Sequence, residues 1–405
     1  MPPRYNSRDS PWWWTQVIQD YALSSPEGLS ILSAQVPRRF PTDDFVPHDS
    51  PLAYSTSSTV AEIIHEILSR HAQGIHFKEY CPPGGTIDEH MHPDGFSIDI
   101  DVDWGTGFVT GGNRYNCGTW MDKNGSSEKA GNKGLPATPR DGAPVECIGL
   151  LKSTLRWICQ LYKEGQWKWE GVDAIVKGEK KFVTYKEWND LVQANFEKHF
   201  YIPVDPSEDS SYVLQSSLVN RRGIYKDVYG SGKGREWSDY QLRPNFPIAM
   251  TVAPELFDPK HALGALKVVD TVLRGPLGMK TLDPTDLQYN GNYDNSDDST
   301  NQQTAQGWNY HQGPEWVWPI GYFLRAYLYF DTHYGAGKED PTETLQHIHS
   351  ILLPHGKHLQ EDAWAGLPDL TNKDGAFCRD SCHTQAWSAS TILDLLEDVS
   401  KLQVA

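Results

Sequence analysis

Apolar residues recur at helical spacing in several separate stretches of the chain, with polar stretches between them. The clearest set is Val60, Ile63, Ile64, Ile67 and Leu68, which share one face of a helix turning every 3.6 residues. Ser58 or Thr59 starts that helix and Gly74 stops it. An earlier helix opens at Pro11, behind Asp9 or Ser10 as cap, and runs to about Leu23. A third covers Pro144 to Lys163, with Ile148, Leu151, Leu155, Ile158 and Cys159 on its apolar face. A short hairpin is expected near Phe182. Thr184 and Glu187 then make a Thr-x-x-Glu capping box for a helix to about His199. Further helices fit Pro244–Val252, Asp258–Leu273, an aromatic stretch ending near Phe330, Pro341–Leu353 and Thr384–Val399.

Strand-like alternation is confined to short runs, at Gly74–Glu79 and Phe96–Asp103. The stretches 24–51, 203–243 and 282–314 read as loops, and 75–142 is mostly irregular. Long irregular insertions in a compact domain are usually functional. Recurrent helices with functional loops gathered at one end predict an α/α toroid or helical array. No repeat of fixed period is present, which argues against a regular solenoid.

Composition narrows the function. The 405 residues include 15 Trp, 19 Tyr and 13 Phe, 12% in all, and the net charge is −17. Such a field repels phosphates and anionic headgroups, so nucleic acid and anionic membrane surfaces are not expected partners. A neutral sugar is unaffected, and sugar faces stack on aromatic rings. The six cysteines are dispersed and form no disulfide framework. No signal peptide is recognisable near Met1, and no apolar run is long enough to span a bilayer. A cytoplasmic protein with free thiols is expected.

Candidate chemistry centres on Gly-Gly-Asn-Arg-Tyr-Asn-Cys-Gly-Thr-Trp-Met-Asp-Lys (111–123). Its glycines let the backbone turn and approach a ligand. Arg114 and Trp120 offer a donor and a flat face, and Asp122 offers a carboxyl beside them, which suits cleavage of a glycosidic bond. Arg8-Asp9 before Trp12 can hold vicinal hydroxyls, or serve as a cap and ion pair. The run Tyr310 to Pro319 sets His311, Gln312, Glu315 and Trp316 at a helix start, where free N–H groups point outward. A buried aromatic helix explains its Trp318 and Phe323 but not its polar members. Asp369 lies in a tight Gly/Pro turn and is either a catalytic base or a turn residue. Asp99, Asp101 and Asp103 begin like a calcium loop, but Trp104 and Thr110 stand where that loop needs Gly and Glu. They read as a solvated acidic face. His90, His92, Cys378 and Cys382 lack ligand spacing, so neither metal nor cofactor is expected.

Several of these runs coincide with one family. The 111–123 run, Asp-Tyr-Gln-Leu-Arg-Pro-Asn-Phe (239–246) and Asn-Tyr-His-Gln-Gly-Pro-Glu-Trp-Val-Trp-Pro-Ile-Gly (309–321) resemble the C-terminal glucosidase domain of eukaryotic glycogen debranching enzyme. Residues 4–9, 137–142, 275–284 and 384–388 are similar to it too, so the resemblance runs from about residue 4 to 396. It implies a mainly α, glucoamylase-like (α/α)6 toroid formed by residues 1–405 as a single domain. It also implies inverting hydrolysis of the α-1,6-linked glucose at a trimmed glycogen branch. Asp122 takes the general-acid position. Asp369 stands where the family usually has Glu in Gly-Leu-Pro-Glu-Leu-Thr-Asn, and so takes the base position one methylene short. Arg8, Asp9, Trp12, Arg114, Trp120, Gln241, Arg243, His311, Gln312, Glu315 and Trp316 become the expected sugar subsite. Nine or ten helices are countable where a toroid has twelve, so the ring is expected to be incomplete at its N-terminal end. The absent part of a debranching enzyme is then a candidate partner. Exposed apolar side chains such as Trp13, Val17 and Leu393 are expected along the gap. The alternative is a glycan-binding remnant without activity.

Overall fold

The computed structural model describes residues 7–39, 46–79 and 90–404, so Cys81 and residues 4–6 of the first matching run lie outside the described residues. Among the described residues there are nine α-helices: α1 Ser10–Ser24, α2 Val60–Gln73, α3 Val145–Lys163, α4 Tyr185–Phe200, α5 Phe246–Val252, α6 Pro259–Val272, α7 Pro319–Tyr334, α8 Thr342–Glu361 and α9 Ala386–Val404. The fold is mainly helical, and no closed barrel is formed by them.

The helices begin where local chemistry satisfies their first N–H groups. Thr59 and Thr184 both complete capping boxes, with Glu62 and Glu187. Asp258 accepts from the amides of Lys260 and His261 at the start of α6. At α1, Asp9 occupies the cap position but makes no capping bond. One helix runs past its expected end. α8 continues through Pro354, where a missing N–H should have stopped it. The buried His355 anchors the far half, donating from one ring nitrogen to Leu277 O at 2.6 Å, with the other ring nitrogen 3.2 Å from Ile351 O.

Packing follows an alternation. α1 packs on α3, α3 on α5, α5 on α7 and α7 on α9, while α4 packs on α3, and α6 and α8 on α7. α3 is central and almost wholly buried, including its polar Glu146, Lys152, Ser153 and Thr154. One apolar cluster runs from Trp12 to Leu395. The strands are short. A three-stranded antiparallel sheet joins Ile75–Lys78, Ser97–Asp103 and Phe108–Gly111. Ile98, Ile100 and Val102 face inward there, and Asp99, Asp101 and Asp103 face water. Stretch 24–51 holds one strand the loop reading missed, Gln35–Arg38, paired with Thr56–Thr59. A hairpin does lie at Phe182, formed by Gly171–Val176 paired with Glu179–Thr184.

Between α1 and α9 the apolar face is partly covered. Trp13 bridges to α7 and α9, edge-on to Trp318 and Tyr322 and 5.7 Å from Trp387. Farther along, Val17 is 64% and Leu393 63% exposed, with Tyr21 and Leu396 also open to solvent. No helix among the described residues is long and apolar enough to cross a membrane.

Candidate active site

The segments leading into α1, α3, α5, α7 and α9 converge at one end of the molecule. Arg8 reaches Gly142 before α3, Trp120 reaches Asn245 before α5, and Trp318 before α7 stacks on Trp387 in α9 at 3.9 Å. Helix N-termini carry partial positive charge, so this end favours carboxylates. Asp9, Asp122, Glu146, Asp227 and Asp369 all lie in the segments gathered here or in the starts of these helices.

The 111–123 loop is tied down at both ends by Arg8. Its guanidinium donates to the carbonyls of Gly111 at 2.7 Å, Arg140 at 2.9 Å and Gly142 at 3.2 Å, and its amide donates to Gly118 O. It lies directly on Gly112, where φ is +81° and an added Cβ would sit 2.9 Å from Cζ of Arg8. Asn116 braces the middle, donating to Gly95 O at 2.6 Å. Buried Met121 then anchors the segment between Trp120, which is partly buried, and Asp122, which is exposed.

An aromatic wall surrounds this point. The Trp120 ring meets His311 at 5.3 Å, Trp316 at 5.5 Å and Trp318 at 4.8 Å, all edge-to-face. Trp316 donates to Tyr310 O at 3.0 Å and stacks on His311. His311 is fully buried, and neither of its ring nitrogens has a partner among the described residues. Burial, with Arg243 nearby, holds its pKa well below the ordinary histidine value, so the ring is neutral.

Asp369 closes the other side. It precedes Leu370–Thr371, which pairs with Glu315–Trp316. One carboxylate oxygen accepts from the amides of Leu370 at 2.8 Å and Cys382 at 2.9 Å, and the other from the Tyr310 hydroxyl at 3.1 Å. Burial raises its pKa, and these bonds only partly offset that. The Tyr310 pKa is raised by burial, then by Asp369, and further by Asp122. Tyr310 therefore feels both carboxylates, which are far apart in sequence.

A buried polar layer supports Trp120. Its indole N–H donates to Asn245 Oδ1 at 2.9 Å, and Asn245 donates to Asp227 at 2.7 Å. Asp227 also receives Arg140 at 2.8 Å, and Arg140 pairs with Glu146. Burial alone would lower the Arg140 pKa, but the two carboxylates more than offset it. Arg243 lies 3.7 Å from Asp227, and burial lowers its pKa to about 10. Two cations and two anions thus balance inside the protein.

The expected sugar subsite divides. Trp120, His311 and Trp316 come together beside Tyr310 and Asp369. Arg243, Gln241 and Gln312 form a clamp beneath them: Arg243 donates to Gln241 at 2.8 Å, Gln312 at 2.7 Å and the carbonyls of Thr281 and His311. Arg114 is exposed and, with Gln241, Trp237 and Trp308, lines a separate cavity of about 170 Å³ whose lining includes neither Asp122 nor Asp369. Asp9 is buried and accepts from Ser7. Three placements correct the expectation of one shared pocket. Trp12 is fully buried in the core against His71, because the helix turns it away from the loops. Arg8 is buried and holds loop carbonyls. Glu315 is fully buried, 3.6 Å from Lys280, and accepts from the amides of Asp374 and Gly375, so it fixes a turn. Residue-level reading missed Tyr310, Asn245, Asp227 and Glu146. The available signals were the family-matching runs 239–246 and 309–321, which hold Asn245 and Tyr310, and the carboxylate of Glu146 in the first turn of α3.

A family profile described as amylo-alpha-1,6-glucosidase matches residues 1–394. The glycogen debranching enzyme of Saccharomyces cerevisiae is 53% identical over 407 aligned residues, covering 98% of this chain. The chain spans 26% of that relative's length. It therefore belongs to the amylo-alpha-1,6-glucosidase family.

Proposed function

We propose that this member of the amylo-alpha-1,6-glucosidase family removes the α-1,6-linked glucose left at a trimmed glycogen branch, with inversion. Asp122 gives a proton to the glycosidic oxygen. A water attacks the anomeric carbon from the opposite face and loses its proton to Asp369, and the bond to the leaving chain breaks. The observation that carries this is Tyr310, bonded to Asp369 and within electrostatic reach of Asp122 beside the Trp120–Trp316 wall. The raised pKa of Asp369 suits a base, since it makes the carboxylate more basic. Asp122 is exposed without substrate; a sugar seated on Trp120 would desolvate it and favour its protonated form. An inverting pair needs roughly 6.5–9.5 Å between carboxyls to admit the water.

The nine helices of the described residues fit part of a single (α/α)6 toroid in a protein of the cytoplasm. The open strip at Val17, Tyr21, Leu393 and Leu396 fits contact with the rest of a debranching enzyme, of which the matched relative is nearly four times as long.

Proton NMR of glucose released from a glycogen limit dextrin tests the mechanism. β-Glucose should appear first, and Asp122→Asn and Asp369→Asn should each lose about 10²-fold or more in kcat. α-Glucose first, or an active Asp122→Asn, would exclude it. The second reading is a binding remnant without hydrolysis. It draws on the three donors already held by Asp369, a side chain one methylene short of glutamate. Sugar binding without glucose release, for this chain and for Asp369→Glu alike, would select it.

A further inference from the structure

The loop between α8 and α9 does more than carry Asp369. Its backbone folds in around that carboxylate: Asp369 N donates to Cys382 O, and Gln385 N donates to Leu367 O. Its aromatic side chains turn the other way. Trp364 is 68% exposed and Phe377 71%, and both flank His383. The Trp364 and His383 rings are 6.1 Å apart at 12° between planes, and Phe377 and His383 are 5.8 Å apart at 25°.

These spacings leave the faces open. Rings in face contact elsewhere in the protein sit at 3.8 Å (His92–Tyr115) and 3.9 Å (Trp318–Trp387). At about 6 Å between centroids the three nearly parallel rings are too far apart for the close face contact of those pairs. They form a row of roughly parallel plates, with the outer two, Trp364 and Phe377, open to solvent and His383 half-buried between them. No exposed aliphatic residue of the same loop accompanies them among the large exposed apolar side chains of the described residues, so the exposed apolar surface of this loop is aromatic. A nucleic-acid base would also stack on such plates, but a net charge of −17 opposes a phosphate backbone. A neutral polymer of sugar rings, each with an apolar C–H face and a hydroxylated edge, matches both the plates and the charge, and the imidazole edge of His383 adds a partner for hydroxyls.

We propose that Trp364, His383 and Phe377 form an outer subsite that holds the glucan chain bearing the branch, continuous with the candidate active site through the loop that positions Asp369. This rests on the glucosidase reading only for the identity of the polymer. Truncating one plate should weaken polymer binding roughly three- to tenfold, the range of one stacking contact.

The test uses native gels cast with glycogen, together with kinetics on two substrates. Trp364→Ala and Phe377→Ala should each lose most of the glycogen-dependent retardation of the wild-type chain. Trp364→Tyr should keep it. Phe182→Ala, at another exposed ring (58%) on the hairpin Gly171–Val176 with Glu179–Thr184, should not change it. With a branched limit dextrin the two alanine variants should raise KM and leave kcat unchanged. With α-glucosyl fluoride, which fills only a single-glucose subsite, they should match wild type. Retardation that depends on Trp364 and Phe377 in a chain releasing no glucose would keep the platform and remove the glucosidase reading. Glucose release with glycogen retardation unaltered in both variants would do the reverse. A chain that glycogen does not retard at all overturns the platform, as does a parallel loss of α-glucosyl fluoride hydrolysis, which would mean that the loop had collapsed around Asp369.

Discussion

Asn245→Ala is the sharpest probe of how the site is held. Asn245 is fully buried and, besides a weak bond to Met121 Sδ at 3.8 Å, makes two strong hydrogen bonds: it accepts from Trp120 Nε1 at 2.9 Å and donates to Asp227 at 2.7 Å. The first loss strands a buried indole N–H, at about 1–2 kcal/mol. The second removes a donor from a buried carboxylate, at about 1–3 kcal/mol, softened because Arg140 still reaches Asp227. The sum is about 3 kcal/mol of stability, measurable by urea titration followed by circular dichroism. Asn245→Asp sharpens the logic. It keeps an acceptor for Trp120 but sets a second carboxylate against Asp227, so at neutral pH it should be less stable than the alanine variant. The folded pair would then share a proton that the unfolded chain does not hold, raising its pKa in the folded state. The variant should therefore be most stable at low pH and lose stability as pH rises. Glucose release should fall in both, with KM raised, because the indole is no longer held. A change below ~0.5 kcal/mol in Asn245→Ala, or Asn245→Asp proving the more stable at pH 7, would refute the relay from Asp227 to Trp120.

Three other outcomes follow from the packing. Burial lowers the pKa of His71, tilted against Trp12 in the core, to about 4. The unfolded chain binds that proton at a higher pH, so its contribution is fully present above pH ~6.5 and lost as pH falls toward 4, by about 3 kcal/mol; His71→Phe should remove this part of the acid sensitivity in paired urea titrations, and identical pH profiles would contradict it. Gly275→Ala would place a Cβ 2.2 Å from the buried Glu315 carboxylate, so a loss of about 3 kcal/mol is expected in thermal melts, and an unchanged midpoint would mean that the Glu315 turn is loose. The open strip on α1 and α9 should make the isolated chain associate in sedimentation experiments, and Val17→Lys with Leu393→Lys should reduce this, whereas a wild-type monomer at tens of micromolar would show that the strip is tolerated in water.

What the sequence determined by itself was local. α2 and α4 were readable to within a residue or two, because a capping box and an apolar stripe lie within one helix and need no distant partner. The same holds for the inward Ile98, Ile100 and Val102 against the outward aspartates. Family membership was legible because whole runs of residues match in order, and it drew attention to Asp122 and Asp369. Only the tertiary structure decided which polar residues are taken up by the protein's own groups. Arg8, Arg243 and Glu315 look like sugar-binding groups in the chain, yet each is consumed by backbone groups or side chains from remote segments. Asn245, two residues from the more conspicuous Arg243, is the one that holds Trp120. α8 crosses Pro354 because His355 finds Leu277, another distant contact. A buried polar group must find partners wherever the fold offers them. Those partners come from the packing of helices far apart in sequence, and no local pattern in the chain records them.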